Sequence, residues 1–279
     1  MFEIKKKYPL NKDTDYMAVY APSIAAKARP GQFVIIRANE TAERIPLTIA
    51  DYNVEEGTVS VIFQKVGRST KIIGELNEGD CILDFVGPLG TPSEFDGMNK
   101  VAVIGGGLGC AIAYPQAKFL NANGVYVDII AGFRSKELVI LENEMSTACK
   151  DLYIMTDDGS YGEKGLVTQK LRELIESGSE YDAVIAIGPV VMMKFVSALT
   201  KEYGIKTIVS MNPIMIDGTG MCGGCRVTVD GKIKFACIDG PDFDGHKVDF
   251  DELIRRNKMY AQYEREADCN LMKKLPDNK

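Results

Sequence analysis

Three cysteines, Cys222, Cys225 and Cys237, lie within sixteen residues in a stretch that opens Asp217-Gly-Thr-Gly-Met-Cys222-Gly-Gly-Cys225. Their spacing is C-x2-C-x11-C, with the aspartate five positions before the first cysteine. Thiolates are the ligands of iron–sulfur clusters, and backbone N–H groups aimed at the sulfurs tune them. Glycines 218, 220, 223 and 224 let the backbone wrap closely and turn its amides inward. The plant-type [2Fe–2S] spacing is C-x4-C-x2-C…C. With Asp217 in the first position, D-x4-C-x2-C-x11-C fits that register and offers a carboxylate oxygen as fourth ligand. Three other readings stand beside this one. Structural zinc would use the cysteines with Asp217 or the lone histidine, His246. A redox C-x-x-C pair would leave Cys237 over. The cysteines would otherwise be unrelated buried residues. His246 itself reads as a loop residue.

A second candidate is Val101-Ala-Val-Ile104-Gly-Gly-Gly-Leu-Gly109-Cys-Ala-Ile-Ala, a buried strand, a glycine turn and a helix start. Gly105, Gly106, Gly107 and Gly109 would let a diphosphate approach the backbone and rest on the helix N-terminus. The G-x-G-x-x-G pattern is not met, and Asp128 falls inside the second strand rather than at its end. A turn used only for packing is the competing reading. Asp157 and Asp158 follow the third strand, where such sheets bind ligands. Two carboxylates there favour ribose hydroxyls over a 2′-phosphate, hence NAD over NADP. Arg134 and Lys136 point the other way, and an ordinary turn explains the aspartates as well.

The third candidate is Arg44-Ile-Pro46-Leu47-Thr48. Arginine clamps phosphate bidentately, proline holds the strand extended, and Thr48 offers a hydroxyl to a ring nitrogen. Gln64-Lys-Val66-Gly67-Arg-Ser69-Thr70 puts glycine and hydroxyls at a helix start, a further candidate phosphate site.

The surrounding pattern indicates what positions these groups. Residues 1–97 carry short β-branched runs at Gln32–Ile36, Thr58–Phe63 and Cys81–Val86, separated by glycine turns, and predict a small antiparallel β-barrel. A helix is expected over Arg68–Leu76. Residues 98–210 change to unbroken apolar runs, at Val101–Ile104, Tyr126–Ile130, Leu152–Met155, Ala183–Ile187 and Thr207–Val209. Such runs fit strands covered on both faces. Helical segments alternate with them at Ala111–Asn121, Leu166–Ser177 and Val190–Tyr203, so a doubly wound parallel α/β domain is expected. Residues 211–279 are expected to form a small cysteine-bearing subdomain with a helical tail, in which Phe250, Leu253, Ile254, Met259, Tyr260 and Tyr263 are the candidate buried residues.

At 279 residues the chain has room for two or three domains, at roughly 100–200 residues each. The net charge, 33 − 39 = −6, argues against nucleic-acid binding and against a polybasic membrane anchor. No uncharged apolar run approaches the ~18–20 residues of a bilayer span. MFEIKKKYPL has no apolar core after its basic residues and does not read as a signal peptide. A cytoplasmic protein is expected, a compartment in which seven cysteines are not structural disulfides.

In this order the motifs resemble the ferredoxin–NADP reductase-like flavoproteins over essentially the whole chain. Within them the chain is similar to the iron–sulfur electron-transfer subunits of dihydroorotate dehydrogenase and of NADH-dependent reduced ferredoxin:NADP oxidoreductase. The specific parts are Arg44–Thr48, Gly105–Gly109, Gly188–Met193 and Asp217–Cys237. The resemblance implies FAD held by Arg44, Pro46, Leu47, Thr48, Gln64, Val66, Gly67, Ser69 and Thr70, with Arg44 on the diphosphate and Thr48 near flavin N5 as the catalytic contact. It implies NAD(H) held by Gly105, Gly106, Gly107, Gly109, Asp157, Asp158, Gly188 and Pro189. It implies a [2Fe–2S] cluster on Cys222, Cys225 and Cys237, with Asp217 where the pyrimidine-pathway subunit usually has a fourth cysteine. That aspartate favours the transhydrogenase-like branch. Ile187 stands where many relatives have a cysteine, so a mechanism needing a thiol beside the nicotinamide is not served. The implied activity is hydride exchange with NAD(H) followed by single-electron transfer. The implied partner is a larger subunit with its own FAD and [4Fe–4S] clusters, coupled to ferredoxin indirectly by electron bifurcation. The tail after Asp249 and the cluster rim are the candidate contacts. The alternatives are a partner that oxidises dihydroorotate and a zinc-stabilised nucleotide-binding regulator without turnover.

Overall fold

In the computed structural model, which describes residues 1–272, alternating and unbroken apolar runs separate into different sheets. The first sheet holds β1 (Phe2–Asn11), β2 (Thr14–Tyr20), β3 (Phe33–Arg37), β4 (Ile45–Asn53), β5 (Thr58–Gln64), β6 (Cys81–Ile82) and β7 (Asp84–Leu89). Its order is β6-β1-β2-β5-β4-β3-β7, with every neighbouring pair antiparallel. The two edge strands follow one another in the chain, separated only by Leu83, so the sheet curls into a nearly closed barrel. The run Cys81–Val86, expected as one strand, is therefore two. It turns the corner at Leu83, whose N–H reaches the Ala38 carbonyl, and pairs with β1 on one side and β3 on the other. Inward residues such as Ile4, Met17, Val34, Ile36, Val61, Phe63 and Phe85 fill the interior.

Helix α1 (Pro22–Ala25) and helix α2 (Arg68–Gly74) lie on the barrel's connections. The α2 C-terminus is closed by an unexpected group. Lys7, in the basic N-terminal stretch, donates its ammonium to the carbonyls of Ile73, Gly74 and Leu76, as cations at a helix C-terminus do.

The second sheet holds β8 (Lys100–Gly106), β9 (Tyr126–Phe133), β10 (Asp151–Thr156), β11 (Glu163–Lys164), β12 (Ala183–Ile187) and β13 (Lys206–Ser210). All pair in parallel, in the order β11-β10-β9-β8-β12-β13. The chain starts in the middle, winds outward through β9 and β10, then crosses back to β12. The strand order thus reverses between β8 and β12, the switch point where open α/β sheets bind ligands. Helices α3 (Cys110–Ala122) and α4 (Glu142–Thr147) cover one face. Helices α5 (Val167–Glu176) and α6 (Val190–Glu202) cover the other. Ala113 and Ala117 of α3 share one core with Ala50 and Ile62 of the barrel, and Lys118 pairs with Asp51 at 2.9 Å. The α3 face therefore joins barrel to sheet.

Beyond residue 210, β14 (Arg226–Val229) and β15 (Lys232–Phe235) form a hairpin, followed by α7 (Ala236–Asp239). The next strand, β16 (Asp242–Asp244), adds antiparallel to β13 and completes the edge of the second sheet. Cys225, Ala236 and Cys237 pack on Phe33 and Ile35 of barrel strand β3. The cysteine lobe is thus stitched to both other layers. Helices α8 (Phe250–Asn257) and α9 (Ala261–Met272) end the described chain. Of the expected buried tail residues, Phe250 and Leu253 are buried and Ile254 is partly so. Met259, Tyr260 and Tyr263 are exposed, contrary to expectation, at 56%, 45% and 68%. The reason is that α8 stops at Asn257, and α9 meets α2 through the Lys71–Asp268 ion pair at 2.7 Å rather than through an apolar stripe. Among the described residues no helix is long and apolar enough to cross a membrane.

Candidate functional site

The two glycine turns at the switch point meet backbone to backbone. A Cβ on Gly109 would lie 2.2 Å from the Ile187 carbonyl oxygen and 2.7 Å from Gly188 Cα. A Cβ on Gly106 would strike Met192 and Pro189, and one on Gly105 would strike Cys110. Packing therefore accounts for three of the four glycines. Gly107 is different. It has φ +55° and nothing within 4 Å of where its Cβ would be, so it opens onto space. That space is a cavity of about 1350 Å³.

The cavity runs between barrel and sheet. Asn11, Thr14, Gln64 and Val66 form its barrel wall. Gly106, Gly107, Gly109, Gly188 and Pro189 form its floor, with Phe133, Arg134 and Asp157 at the ends of β9 and β10. It continues along α5 and α6 past Thr168, Arg172 and Phe195. The short 3-10 turn Gly107–Gly109 leads directly into α3. Its amides stand at the floor, the arrangement that favours an anionic diphosphate.

The remaining candidates lie outside this wall. Gly105 is behind the floor. Asp158 accepts from the N–H and hydroxyl of Ser160, at 2.9 and 2.6 Å, and these bonds hold its carboxyl below the usual range. It closes a turn, while Asp157 faces the cavity. Asp128 is buried and accepts from the Tyr181 hydroxyl at 2.7 Å, away from the nucleotide end of its strand.

The barrel motifs form a second group. Arg44, Pro46, Leu47 and Thr48 are half-buried at the start of β4. Helix α2 begins beside them. Ser69 donates to Glu43 at 2.9 Å, and Arg68 reaches the Thr41 carbonyl at 3.1 Å. The Thr70 hydroxyl caps its own helix, accepting from the N–H of Gly67 at 3.1 Å and of Val66 at 3.2 Å. The two segments are thus neighbours, but Ser69 and Thr70 are engaged by protein groups. Arg44 extends from this region to the cysteine loop. Its Nε donates to the Ile216 carbonyl at 3.1 Å, and its Nη1 lies 3.5 Å from Asp84, which Arg37 also holds at 2.7 Å. Asp84, Ile216, Asn11 and Thr14 are site neighbours that sequence reasoning did not single out. The fold brings them here from distant positions in the chain.

In the cysteine loop, Cys225 and Cys237 are buried with their sulfurs 3.2 Å apart, and Cys222 is exposed. Gly224 directs its N–H at the Cys222 sulfur at 3.5 Å. Burial, then the neighbouring Cys225, pushes the Cys237 thiol up to about 12. Metal binding has to displace that proton. Gly218, Gly220 and Gly223 hold left-handed backbone here. Asp217 accepts from the Thr219 hydroxyl at 2.7 Å and from the amides of Thr219 and Met221 at 3.2 Å each. The Thr219 hydroxyl leads the bonds that hold its carboxyl below the usual range. Three thiols in one glycine-rich loop, one of them with an amide turned toward its sulfur, suit a thiolate-bound cluster. Asp217, in this conformation, serves its own loop. Among the described residues no three or more His, Cys, Asp or Glu side chains are gathered tightly enough to hold a metal ion.

Residues 212–249 match the family model for the iron–sulfur cluster binding domain of dihydroorotate dehydrogenase B. A Thermotoga maritima protein named as a homolog of the dihydroorotate dehydrogenase B (NAD(+)) electron transfer subunit is 46% identical over 263 residues, covering 94% of this chain and 93% of its own. A Methanocaldococcus jannaschii protein, named as a probable subunit of the same kind, is 34% identical over 94% of this chain and 90% of its own. The chain belongs to this electron-transfer subunit family. Among solved structures, a chain of the NADH-dependent reduced ferredoxin–NADP oxidoreductase, determined for insight into flavin-based electron bifurcation, superposes with a TM-score of 0.93. It is 43% identical, and the match covers 98% of each chain. The ferredoxin reductase of carbazole 1,9a-dioxygenase, 21% identical with a TM-score of 0.63 over 73% of this chain and 65% of its own, shows the shared fold alone. The family places the chain among the NAD(H)-dependent flavoprotein oxidoreductases.

The contact between the turns is testable by stability. Gly109→Ala is expected to cost about 3 kcal/mol, the upper end for overpacking, because the obstructing atoms are backbone. Gly107→Ala, in open space, is expected to cost only the left-handed penalty of about 1 kcal/mol. Urea unfolding of the two variants measures the difference. Equal midpoints would show that the turns do not press on one another.

Proposed function

We propose that the chain is the FAD- and [2Fe–2S]-containing electron-transfer subunit of a flavin-based electron-bifurcating NADH/NADPH:ferredoxin oxidoreductase. The observation that carries this reading is the cavity itself, which joins the barrel wall at Gln64 and Val66 to the paired glycine turns at the switch point. A pyridine nucleotide seated on those turns would lie against the barrel, where flavin would be held. When bound, the cofactors supply the redox chemistry: hydride exchange between nicotinamide and flavin, and one-electron carriage by the cluster. The protein's part is placement. The Gly107–Gly109 amides take the nucleotide diphosphate, and Asp157 accepts from a ribose hydroxyl, favouring NAD(H). Arg44 takes the FAD diphosphate, exchanging its hold on Asp84 and the Ile216 carbonyl for it. Thr48 offers its hydroxyl beside flavin N5. Cys222, Cys225 and Cys237 hold the cluster with Asp217 as fourth ligand, once its carboxylate leaves the loop amides.

The larger partner, with its own FAD and [4Fe–4S] clusters, would dock at the cluster rim. Ile216, Cys222, Met259 and Tyr260 line one shallow groove of about 180 Å³, and Met221 beside it is 88% exposed. An apolar rim next to an exposed ligand thiol is the character of an interaction surface. A dihydroorotate-oxidising partner is the second reading, favoured by the names of the two relatives. Assaying the co-purified complex with NADPH and with dihydroorotate separates the two.

The iron–sulfur assignment is tested by iron and acid-labile sulfide analysis of the anaerobically purified chain. Colourless protein carrying zinc instead would overturn it. Asp217→Asn keeps an oxygen for the loop amides and removes the charge. If Asp217 is a ligand, Asp217→Asn and Asp217→Ala both lose iron while flavin stays bound. Full iron in Asp217→Asn would reduce its role to bracing the loop. For Thr48→Val, stopped-flow reduction by NADH is expected to slow roughly tenfold or more, the size of one lost contact worth about 1.4 kcal/mol, with FAD still bound. Unchanged traces would remove Thr48 from the flavin site.

A further inference from the structure

Strand β16 carries one carboxyl, that of Asp242, into the junction of barrel, sheet and cysteine lobe. Its Oδ2 accepts from the hydroxyl of Ser93, on the linker that leaves the barrel, and from Nε2 of Gln116 on α3 at 3.3 Å. Ser210 faces the same carboxyl across the β13–β16 ladder. Gln116 is 0% exposed. The second oxygen of each partner, Asp242 Oδ1 and Gln116 Oε1, is buried with no donor among the described residues. Two members of one hydrogen-bonded pair thus each leave an acceptor without a donor, a combination native interiors avoid.

Among the described residues no charged group balances a carboxylate at this place. The groups acting on Asp242 are Ser93, Ser210 and Gln116. On β16 itself Asp244 is engaged with Lys247 at 3.1 Å, and on α3 Lys118 is engaged with Asp51. An unpaired buried charge is the most costly arrangement available. One proton removes both difficulties. Placed on Oδ1 and turned to Gln116 Oε1, it would close a reciprocal acid–carboxamide ring with the Nε2–Oδ2 bond.

We propose that Asp242 is an un-ionised carboxylic acid in the folded protein, paired reciprocally with Gln116, and that this pair is the positioning clamp that seats the cysteine lobe on α3. Burial drives its carboxyl above the ordinary carboxylate range, in the same direction. The clamp matters because α3 begins at the glycine turn. Its register against β16 therefore sets where the cysteine loop stands relative to the nucleotide cavity.

Asp242→Asn reproduces the ring without a proton, since an asparagine amide donates to Gln116 Oε1 and accepts from Nε2. Infrared spectra of the full chain as purified are expected to show the C=O stretch of an un-ionised acid that Asp242→Asn lacks. The stabilisation from a raised carboxyl is fully present below the ordinary carboxylate range and is lost as pH rises through the folded value. The Tm of wild type minus that of Asp242→Asn is therefore expected to fall with rising pH. Amide exchange at Asp242–Asp244 is expected to quicken in Gln116→Leu and to stay near wild type in Asp242→Asn. A missing acid band, or a Tm difference that rises with pH, would mean an ionised carboxylate and would overturn the proposal. Should Gln116→Leu not fold, the infrared and pH comparisons with Asp242→Asn decide alone.

Discussion

The close approach of Gly109 to the Ile187–Gly188 backbone is the constraint on which the ligand side of this molecule rests. No other residue type lets a helix N-terminus lie against a neighbouring strand end with 2.2 Å to a would-be Cβ. Because the two turns touch, β8 and β12 are held at the distance a parallel ladder demands, and the reversal of strand order leaves its crevice directly above them. Gly107 alone of the four is left open, onto the cavity, and packing does not account for it. Under the proposed function, packing and binding, which compete as explanations of a glycine-rich sequence, would be divided among neighbouring residues of the same turn.

The same economy governs the cysteine lobe. Its own regular structure is a two-stranded hairpin and short helices, and isolated two-stranded sheets are marginal in water. It gains its core by borrowing. Cys225 and Cys237 pack on Phe33 and Ile35 of the barrel, and β16 completes an edge of the parallel sheet. Arg44 ties the Ile216 carbonyl to the barrel just before Asp217. Anything that moves the cysteine loop therefore pulls on the barrel at Arg44 and on the sheet edge together. A subunit meant to hand electrons over a fixed path needs that rigidity, because the spacing between redox groups then follows from the fold.

The doubly wound half was legible because its strands are covered on both faces and read as unbroken apolar runs. Ala183–Ile187 is a strand in full, and α6 ends within a residue of its expected end. The barrel was harder. Strand β1 carries Lys5, Lys6 and Lys7 and alternates only loosely, since Lys7 works at the end of α2. The corner at Leu83 is invisible in a run that stays apolar through it. At the site, residue type announced hydroxyls and carboxylates but not their partners. Ser69, Thr70 and Asp158 have the groups a phosphate or ribose wants, yet each is taken up by a helix cap, a neighbour or a turn. Gln64, Val66 and Asp157 face the cavity instead. Whether a polar side chain is free is decided by its surroundings, which one chain's spacing does not record.

Asp217 brings these threads to one point. Spacing alone makes it the replacement for a cysteine, and geometry alone makes it the brace of a glycine loop. The two roles are compatible in sequence but not in the same instant, because a carboxylate accepting from Thr219 and Met221 has its oxygens turned into the loop. Those bonds favour the ionised form, which is also the form a metal requires. The loop therefore keeps the carboxylate deprotonated ahead of use, whereas the Cys237 thiol must lose a proton held well above neutrality. Loading the site would thus draw a proton from Cys237 and none from Asp217. For Asp217 the cost of serving as a ligand is therefore the loss of its loop bonds, and for Cys237 it is the loss of a proton.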